Sequence, residues 1–485
     1  MSIGRNTSYN LIGAIVPMAL ALATVPLYLK LVGADRYGVL SIAFLLLGYF
    51  GLFDLGLGRA TTYRIAALKD ADAQARADVF WTAIAVNILM GAVGAAVLYV
   101  AADYFFAHVF KVDAALRPEI VESVPLLALS VPVATLTGTL SGALQARERF
   151  LQSNMISILS TSLFQILPLI LAFVSGPRLG PLLAAALAAR SVAILMLWWA
   201  CRDVLTRGQS QRFSGAEARQ LLGYGGWVTV TALFGPMLVI LDRFAIGAIL
   251  GAVAVTIYTV PFQLAQRLSV IPGALSGALF PRLPTASEAE RITLTDNAIL
   301  ALLAALSAPV LVACYLIHPF FDLWIGRELG RQSAEVGVVI LLGFWVNAFA
   351  VVPYSWLQAT GRPDLVTKLL LIQIPPYLAA LYVGMTQFGL MGCAVVFSLR
   401  CAVDFIAMAL AARGRVSHGR WIALLGLVLL AGAGSGALMD YRQPLWWLSG
   451  MALAALATAI SWAILPGEFR LLITARLGAL RRRAG

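Results

Sequence analysis

The chain reads as an all-α polytopic membrane protein of about fourteen transmembrane helices, and three observations lead there. Of its 485 residues, 61% are hydrophobic and only 12% are charged, and the mean hydropathy is +0.88, a balance that excludes a water-soluble globule. The apolar residues gather into runs of roughly 20 or more, the length at which a helix rising about 1.5 Å per residue crosses a hydrocarbon core of about 30 Å. Between the runs, connections rich in Lys and Arg alternate with connections poor in them, the asymmetry that fixes orientation in a bilayer.

In chain order the runs are approximately 9–32, 38–58, 79–102, 120–144, 151–174, 181–201, 221–250, 253–280, 292–317, 336–358, 365–386, 389–411, 420–438 and 444–466. Arg5 and the Ala21-Leu22-Ala23 triplet imitate a signal peptide, but the first run continues through Pro26 to Val32 and is read as an uncleaved helix. Pro17, Pro132, Pro168, Pro236, Pro272, Pro353 and the pair Pro375-Pro376 fall inside runs. They read as kinks, which a packed membrane bundle tolerates and a moving transporter can use.

An internal repeat organises these segments. Gly33 recurs as Gly251, Leu144-Gln145-Ala146 as Leu357-Gln358-Ala359, and Arg190 as Arg400, at offsets of 218, 213 and 210 residues. Similar offsets in the same order make segments 1–6 and 7–12 two copies of one six-helix unit. Six is even, so both copies enter from the same side and an axis along the membrane normal relates them. The expected division is a first lobe at 1–202, a linker at 203–220, a second lobe at 221–413, and helices 13 and 14 with a basic tail at 414–485.

With the N-terminus in the cytoplasm, 23 of the 35 Lys and Arg fall on inside connections and 8 on outside ones. Both termini are therefore expected inside. The net charge of +12 would suggest nucleic acid in a soluble protein, but here it resides in the connections, and no nucleic-acid partner is expected. The four cysteines and three histidines show no metal-ligand spacing. The sequence holds neither a phosphate-binding GxxxxGK[ST] loop nor a long outside connection for a sugar-transferring site; the largest, around His318 to Glu335, is short. No enzymatic activity and no cofactor are expected, and energy must come from an ion gradient (H+ or Na+), from the substrate gradient or from a partner.

The remaining cations, Arg190, Arg243, Arg267 and Arg400, lie inside the runs, with Asp54, Asp242 and Asp404. A charge at the bilayer centre costs about 2.5–3.5 kcal/mol on insertion scales, so each should face a partner or a watery cavity. Guanidinium stays protonated when buried and offers a planar fork that matches phosphate oxygens, which suits a pyrophosphate headgroup. The candidate cavity set is Arg190, Arg267, Arg400, Arg243, Asp54, Asp242, Gln145 and Gln358. A structural role stays open for each: Asp404 lies one turn after Arg400, Asp242 adjoins Arg243, and Asp54 can cap the turn that follows it or pair with Arg59.

The stretch KLVGADRYGVLSI followed by GLFDLGLGRATTYR carries a resemblance. It is similar to the opening of the polysaccharide transporters, the Wzx-type flippases of the multidrug/oligosaccharidyl-lipid/polysaccharide (MOP) superfamily, through Gly33, Tyr37, Gly38, Asp54, Gly56 and Leu57. The resemblance implies a MATE-like fold of two six-helix lobes plus two helices, in a bacterial inner membrane. It also implies alternating-access translocation of a polyprenyl-pyrophosphate-linked oligosaccharide for O-antigen, capsule or exopolysaccharide assembly, with a polymerase and chain-length machinery as partners. A lipid II flippase is the near alternative. A MATE-type cation-coupled antiporter would favour carboxylates over arginines, and a membrane-bound polymerase would need the outside loop that this chain lacks.

The charge asymmetry is directly testable. A single cysteine introduced near Gly208 should be shielded from an impermeant thiol reagent in intact cells and one near Gln332 should react; the reverse labelling pattern would invert the topology.

Overall fold

A computed structural model describes residues 3–49, 57–68, 72–280, 282–414 and 416–471. Among them the regular structure is helical: α1 (Ile3–Tyr49), α2 (Leu57–Ala67), α3 (Ala73–Tyr104), α4 (Arg117–Ala146), α5 (Phe150–Ser175), α6 (Leu179–Cys201), α7 (Gly215–Ile249), α8 (Ala252–Ala265), α9 (Val270–Leu279), α10 (Glu288–Ile325), α11 (Arg327–Ala359), α12 (Pro363–Arg413), α13 (Gly419–Leu438) and α14 (Pro444–Ile464). Among the described residues nine of these are long and apolar enough to cross a membrane. The chain is a multi-pass membrane protein.

Two of the helices are hairpins. In α1, Gly33 has φ 81 and ψ 166, outside the helical region. The rings of Tyr28 and Phe44 lie 6.2 Å apart, although sixteen residues of straight helix would separate them by about 24 Å. In α12, Gly389 takes φ 59, and a Cβ on Gly392 would strike the carbonyl of Gly384, a contact that eight residues of straight helix would hold about 12 Å apart. The chain therefore reverses at Gly33 and at Gly389, where the sequence separates segment 1 from 2 and segment 11 from 12. The run 253–280 is broken the other way: a 3-10 turn at Gln266–Ser269 parts α8 from α9.

Contacts divide the chain into Met1–Thr256 and Ile257–Gly485. In the first unit α7 packs on α2 and α3, so the contact boundary falls later than the repeat boundary expected at 203–220; one measures proximity, the other internal similarity. The stretch before α7 is strapped to α3: Gln74 exchanges two 3.0 Å hydrogen bonds with Ser210, and the Ser214 amide donates to Thr82 Oγ1. Arg64 clasps Glu217 at 2.8 and 2.7 Å, which raises the pKa of its guanidinium. Beneath them a buried apolar layer joins Ile65, Phe80, Leu144, Ile156 and Cys201, where the ends of α2, α4 and α6 meet the starts of α3 and α5. At the opposite end Glu119 accepts from Arg36 at 3.3 and 3.1 Å and from the amide of Leu179 at the start of α6.

The motif around Gly33 acquires a physical meaning here. Tyr37 is buried against Tyr28, and a Cβ on Gly38 would overlap the Ala252 carbonyl, so glycine lets the two backbones touch. Thr256 Oγ1 then donates to the Ala34 carbonyl at 2.7 Å.

In the second unit α10 begins with a capping box of Ser287 and Glu290, and α11 forms its core, with Phe262, Phe344 and Phe397 in mutual ring contact. Trp345 Nε1 donates to Ser307 Oγ at 3.1 Å, satisfying a buried indole. Helices α13 and α14, outside the repeat, pack on α10: Gly432 meets Leu311, Gly450 meets the Tyr315 ring, and Tyr315 Oη lies 2.6 Å from Ser449 Oγ. Arg413 pairs with Asp296 at 2.5 Å. The four cysteines are buried and none is in a disulfide among the described residues.

The α12 hairpin predicts a contrast. Gly392→Val must displace backbone and should cost roughly 1–3 kcal/mol, as overpacking does. At Gly434 nothing lies within 4 Å of where a Cβ would stand, so Gly434→Val should leave the thermal midpoint of the purified protein unchanged.

Candidate functional site

In the first unit α6 carries Arg190 against the α1 hairpin and α5. Its Cζ stands 4.6 Å from the centroid of the Phe164 ring. Phe164 in turn meets Phe44 at 4.7 Å, Phe44 meets Tyr28, and Tyr28 Oη donates to the Gln165 carbonyl at 2.8 Å. Arg190 Nε is buried and has no hydrogen-bond partner among the described residues. A desolvated cation–π contact contributes about 2 kcal/mol, against an insertion cost of about 2.5–3.5 kcal/mol. The ring alone does not offset the charge, which leaves the guanidinium fork with capacity for an anion or water.

The second unit repeats this device. Arg400 Cζ lies 5.3 Å from the Tyr377 ring and 5.7 Å from Phe397. Arg190 and Arg400 each stack on an aromatic of the preceding segment, and those aromatics, Phe164 and Tyr377, are 213 residues apart, an offset of the repeat itself. Phe44 and Phe262, 218 residues apart, supply the next ring in each unit. The carboxylate expected beside Arg400, Asp404, accepts from Gln373 Nε2 at 3.1 Å. Gln373, Tyr377 and Arg400 line a cavity of about 180 Å³.

The other sequence candidates fall in different settings. Asp242 and Arg243 are both 1% exposed and form an ion pair at 3.8 Å, so the structural role open to Arg243 is the one its surroundings fit. Arg267 sits on the 3-10 turn and is exposed; an always-charged group at mid-segment must meet water, headgroup or ligand rather than hydrocarbon. Gln358 donates to Tyr354 Oη at 2.7 Å. Gln145 is exposed at the end of α4, on the rim of a large groove. Asp54 lies outside the described residues.

Sequence reading missed the aromatic partners of the arginines, the Glu119 junction, and Asn87. Asn87 is buried and donates to the Thr135 carbonyl at 3.2 Å and Thr139 Oγ1 at 2.8 Å, tying α3 to α4 beside Pro132. An Asn in mid-run is the signal that could have found it.

Two units of apolar helices, each with an arginine set against a ring at equivalent positions of the repeat, make a polytopic membrane fold, and comparison with solved structures identifies its type. The chain is similar to a structure of the lipid II flippase MurJ in an inward closed conformation (TM-score 0.74, 11% identity, 96% of this chain and 99% of that one). It is also similar to an inward-facing multidrug resistance MATE transporter of the MOP superfamily (TM-score 0.69, 15% identity, 85% and 98%) and to the MATE transporter VcmN of Vibrio cholerae (TM-score 0.59, 16% identity, 84% and 94%). At these identities the likeness shows the fold, that of the MOP superfamily. The family follows from sequence: the model of the polysaccharide biosynthesis protein family matches residues 3–287, and a Shigella flexneri protein named "Putative O-antigen transporter" is 30% identical over 410 residues, 84% of this chain and 97% of that one. The chain belongs to the polysaccharide biosynthesis protein family.

The buried pair yields a prediction. Asp242→Asn removes the carboxylate beside a guanidinium that cannot neutralise itself and should destabilise the protein by roughly 3–5 kcal/mol; Asp242→Leu combined with Arg243→Met should recover much of the loss. Abundance and melting of the three proteins in detergent would decide.

Proposed function

We propose that this protein is a flippase that moves a polyprenyl-pyrophosphate-linked oligosaccharide from the inner to the outer leaflet of a bacterial inner membrane, for O-antigen, capsule or exopolysaccharide assembly. The observation that carries this reading is the pair of ring-stacked arginines, Arg190 and Arg400, one on each copy of the repeat. Family membership supports it, as do the relative named for O-antigen transport and the fold shared with a lipid II flippase.

In the proposed cycle the two six-helix lobes at 1–202 and 221–413 alternate access. In each lobe a ring-backed guanidinium fork, Arg190 in the first and Arg400 in the second, is suited to pyrophosphate oxygens, as is the exposed Arg267, because a bidentate donor recognises a diphosphate in direction as well as charge. Gln145 and Gln358 are uncharged donors suited to sugar hydroxyls, and the polyprenyl tail stays in lipid. No bond is made or broken, so the protein is not an enzyme; an H+ or Na+ gradient, the substrate gradient or a partner supplies the work. Both termini are cytoplasmic in this reading, and the polymerase and chain-length machinery take the product on the far side.

Arg190→Ala and Arg400→Ala should each abolish export of the lipid-linked sugar at near-normal protein abundance, with the corresponding Lys variants rescuing only partly. Alanine variants that are stable and transport at the wild-type rate would refute the arginine-lined site and favour a neutral or cationic substrate. Loss of folded protein in place of transport would reduce the two arginines to helix staples.

A further inference from the structure

A groove of about 1280 Å³ opens on the first unit where the end of α4, the start of α5 and the end of α6 meet. It exceeds the roughly 300–1,000 Å³ of an ordinary small-molecule pocket. One part is polar, with Glu148, Arg149, Gln152 and Asp203; the other is apolar, with Met155, Leu159, Met196 and Trp199. Both α5 and α6 are long and apolar enough to span the membrane, so the polar part lies at the level where their helices end and the apolar part runs toward the hydrocarbon. Trp199 is 59% exposed and Met155 62%.

The polar groups have unspent bonding capacity. Among the described residues the side chains of Glu148, Arg149, Gln152 and Asp203 make no hydrogen bond or ion pair. Glu148 is also held at φ 59, in the left-handed region that a side chain rarely occupies. The tight α4–α5 turn imposes this, as the Leu144 carbonyl accepts from the amides of both Arg147 and Arg149 at 3.1 Å. A glycine would relieve the turn; a carboxylate there is strain kept at a candidate site. Arg202 lies over the Trp199 ring at 5.4 Å, bringing a second cation beside the apolar wall.

From this we infer that the groove is a binding site for an aminophospholipid of the bilayer, with the ammonium on Glu148 and Asp203, the phosphate on Arg149 and Arg202, and an acyl chain along Met155, Leu159, Met196 and Trp199. Charges of both signs around one opening match a zwitterionic headgroup whose ammonium still carries N–H donors. An anionic lipid would leave both carboxylates facing negative charge. Gln145, to which the proposed function gives sugar hydroxyls, stands on the same rim; the inference concerns a resident bilayer lipid, and none of the side chains that carry it belongs to the arginine site.

The test uses the full chain in phosphatidylcholine nanodiscs doped with one brominated lipid at a time, reading the fluorescence quenching that disappears in Trp199→Phe. Brominated phosphatidylethanolamine should quench Trp199 at about tenfold lower mole fraction than brominated phosphatidylglycerol or phosphatidylcholine, the difference that charge-assisted hydrogen bonds supply. Glu148→Gln combined with Asp203→Asn, and separately Arg149→Gln, should erase that preference without moving the melting midpoint. Equal quenching by all three lipids would make the groove ordinary lipid-facing surface, and a preference for phosphatidylglycerol would make it an anion site. Absence of quenching by any of them would mean that protein covers it; each of these results overturns the proposal.

Discussion

A guanidinium placed inside a bilayer is the constraint around which this structure is arranged. Arginine cannot shed its proton, so every deep arginine must find a carboxylate, a ring face or a polar cavity, and the first two are in place among the described residues. Arg243 takes the carboxylate of Asp242. Arg190 and Arg400 take ring faces, which compensate charge without providing hydrogen-bond acceptors. This difference separates a charge paired with a carboxylate from two set against aromatic rings.

The ring-faced solution also explains why the hairpins matter. Phe44 reaches Phe164 because α1 reverses at Gly33, which returns segment 2 to the side of segment 1 and of α5. Each stacked arginine is therefore held by a chain of rings that begins in a different part of the sequence: Phe44 and Phe164 for Arg190, Phe262 and Phe397 for Arg400. Such a stack orients a guanidinium plane without surrounding it.

Much of this was legible in the sequence, for physical reasons. Hydrophobic length is set by bilayer thickness, so most of the runs reappear among the described residues as helices or halves of helices, and the reversals at Gly33 and Gly389 fall where one run gives way to the next. The repeat was legible because Arg190 and Arg400 are rare residue types in such surroundings. Ring contacts were not legible: in a chain with 23 Phe and 14 Tyr no single aromatic stands out, and which one lies over an arginine depends on helix rotation. The break of segment 8 at Gln266–Ser269 was hidden likewise, since apolar length does not record hydrogen-bond pattern. Gln145 and Gln358 matched in sequence, yet one lines a groove and the other binds Tyr354, because a shared position in a repeat does not fix side-chain surroundings.

The glycines of this chain do two unrelated jobs. At Gly38 and Gly392 a Cβ would meet backbone from a neighbouring helix segment; what is selected there is smallness. At Gly33 and Gly389 nothing lies within 4 Å of the Cβ position, yet φ is 81 and 59; what is selected there is the lack of handedness. A D-alanine introduced by chemical synthesis or codon expansion would be well accommodated at the two apices, where every L residue is strained, and would stiffen the reversals. The same D-alanine at Gly392 would meet a crowded helix seam. The two membrane hairpins are in this sense chiral features of the chain, written in the only residue that has no chirality of its own.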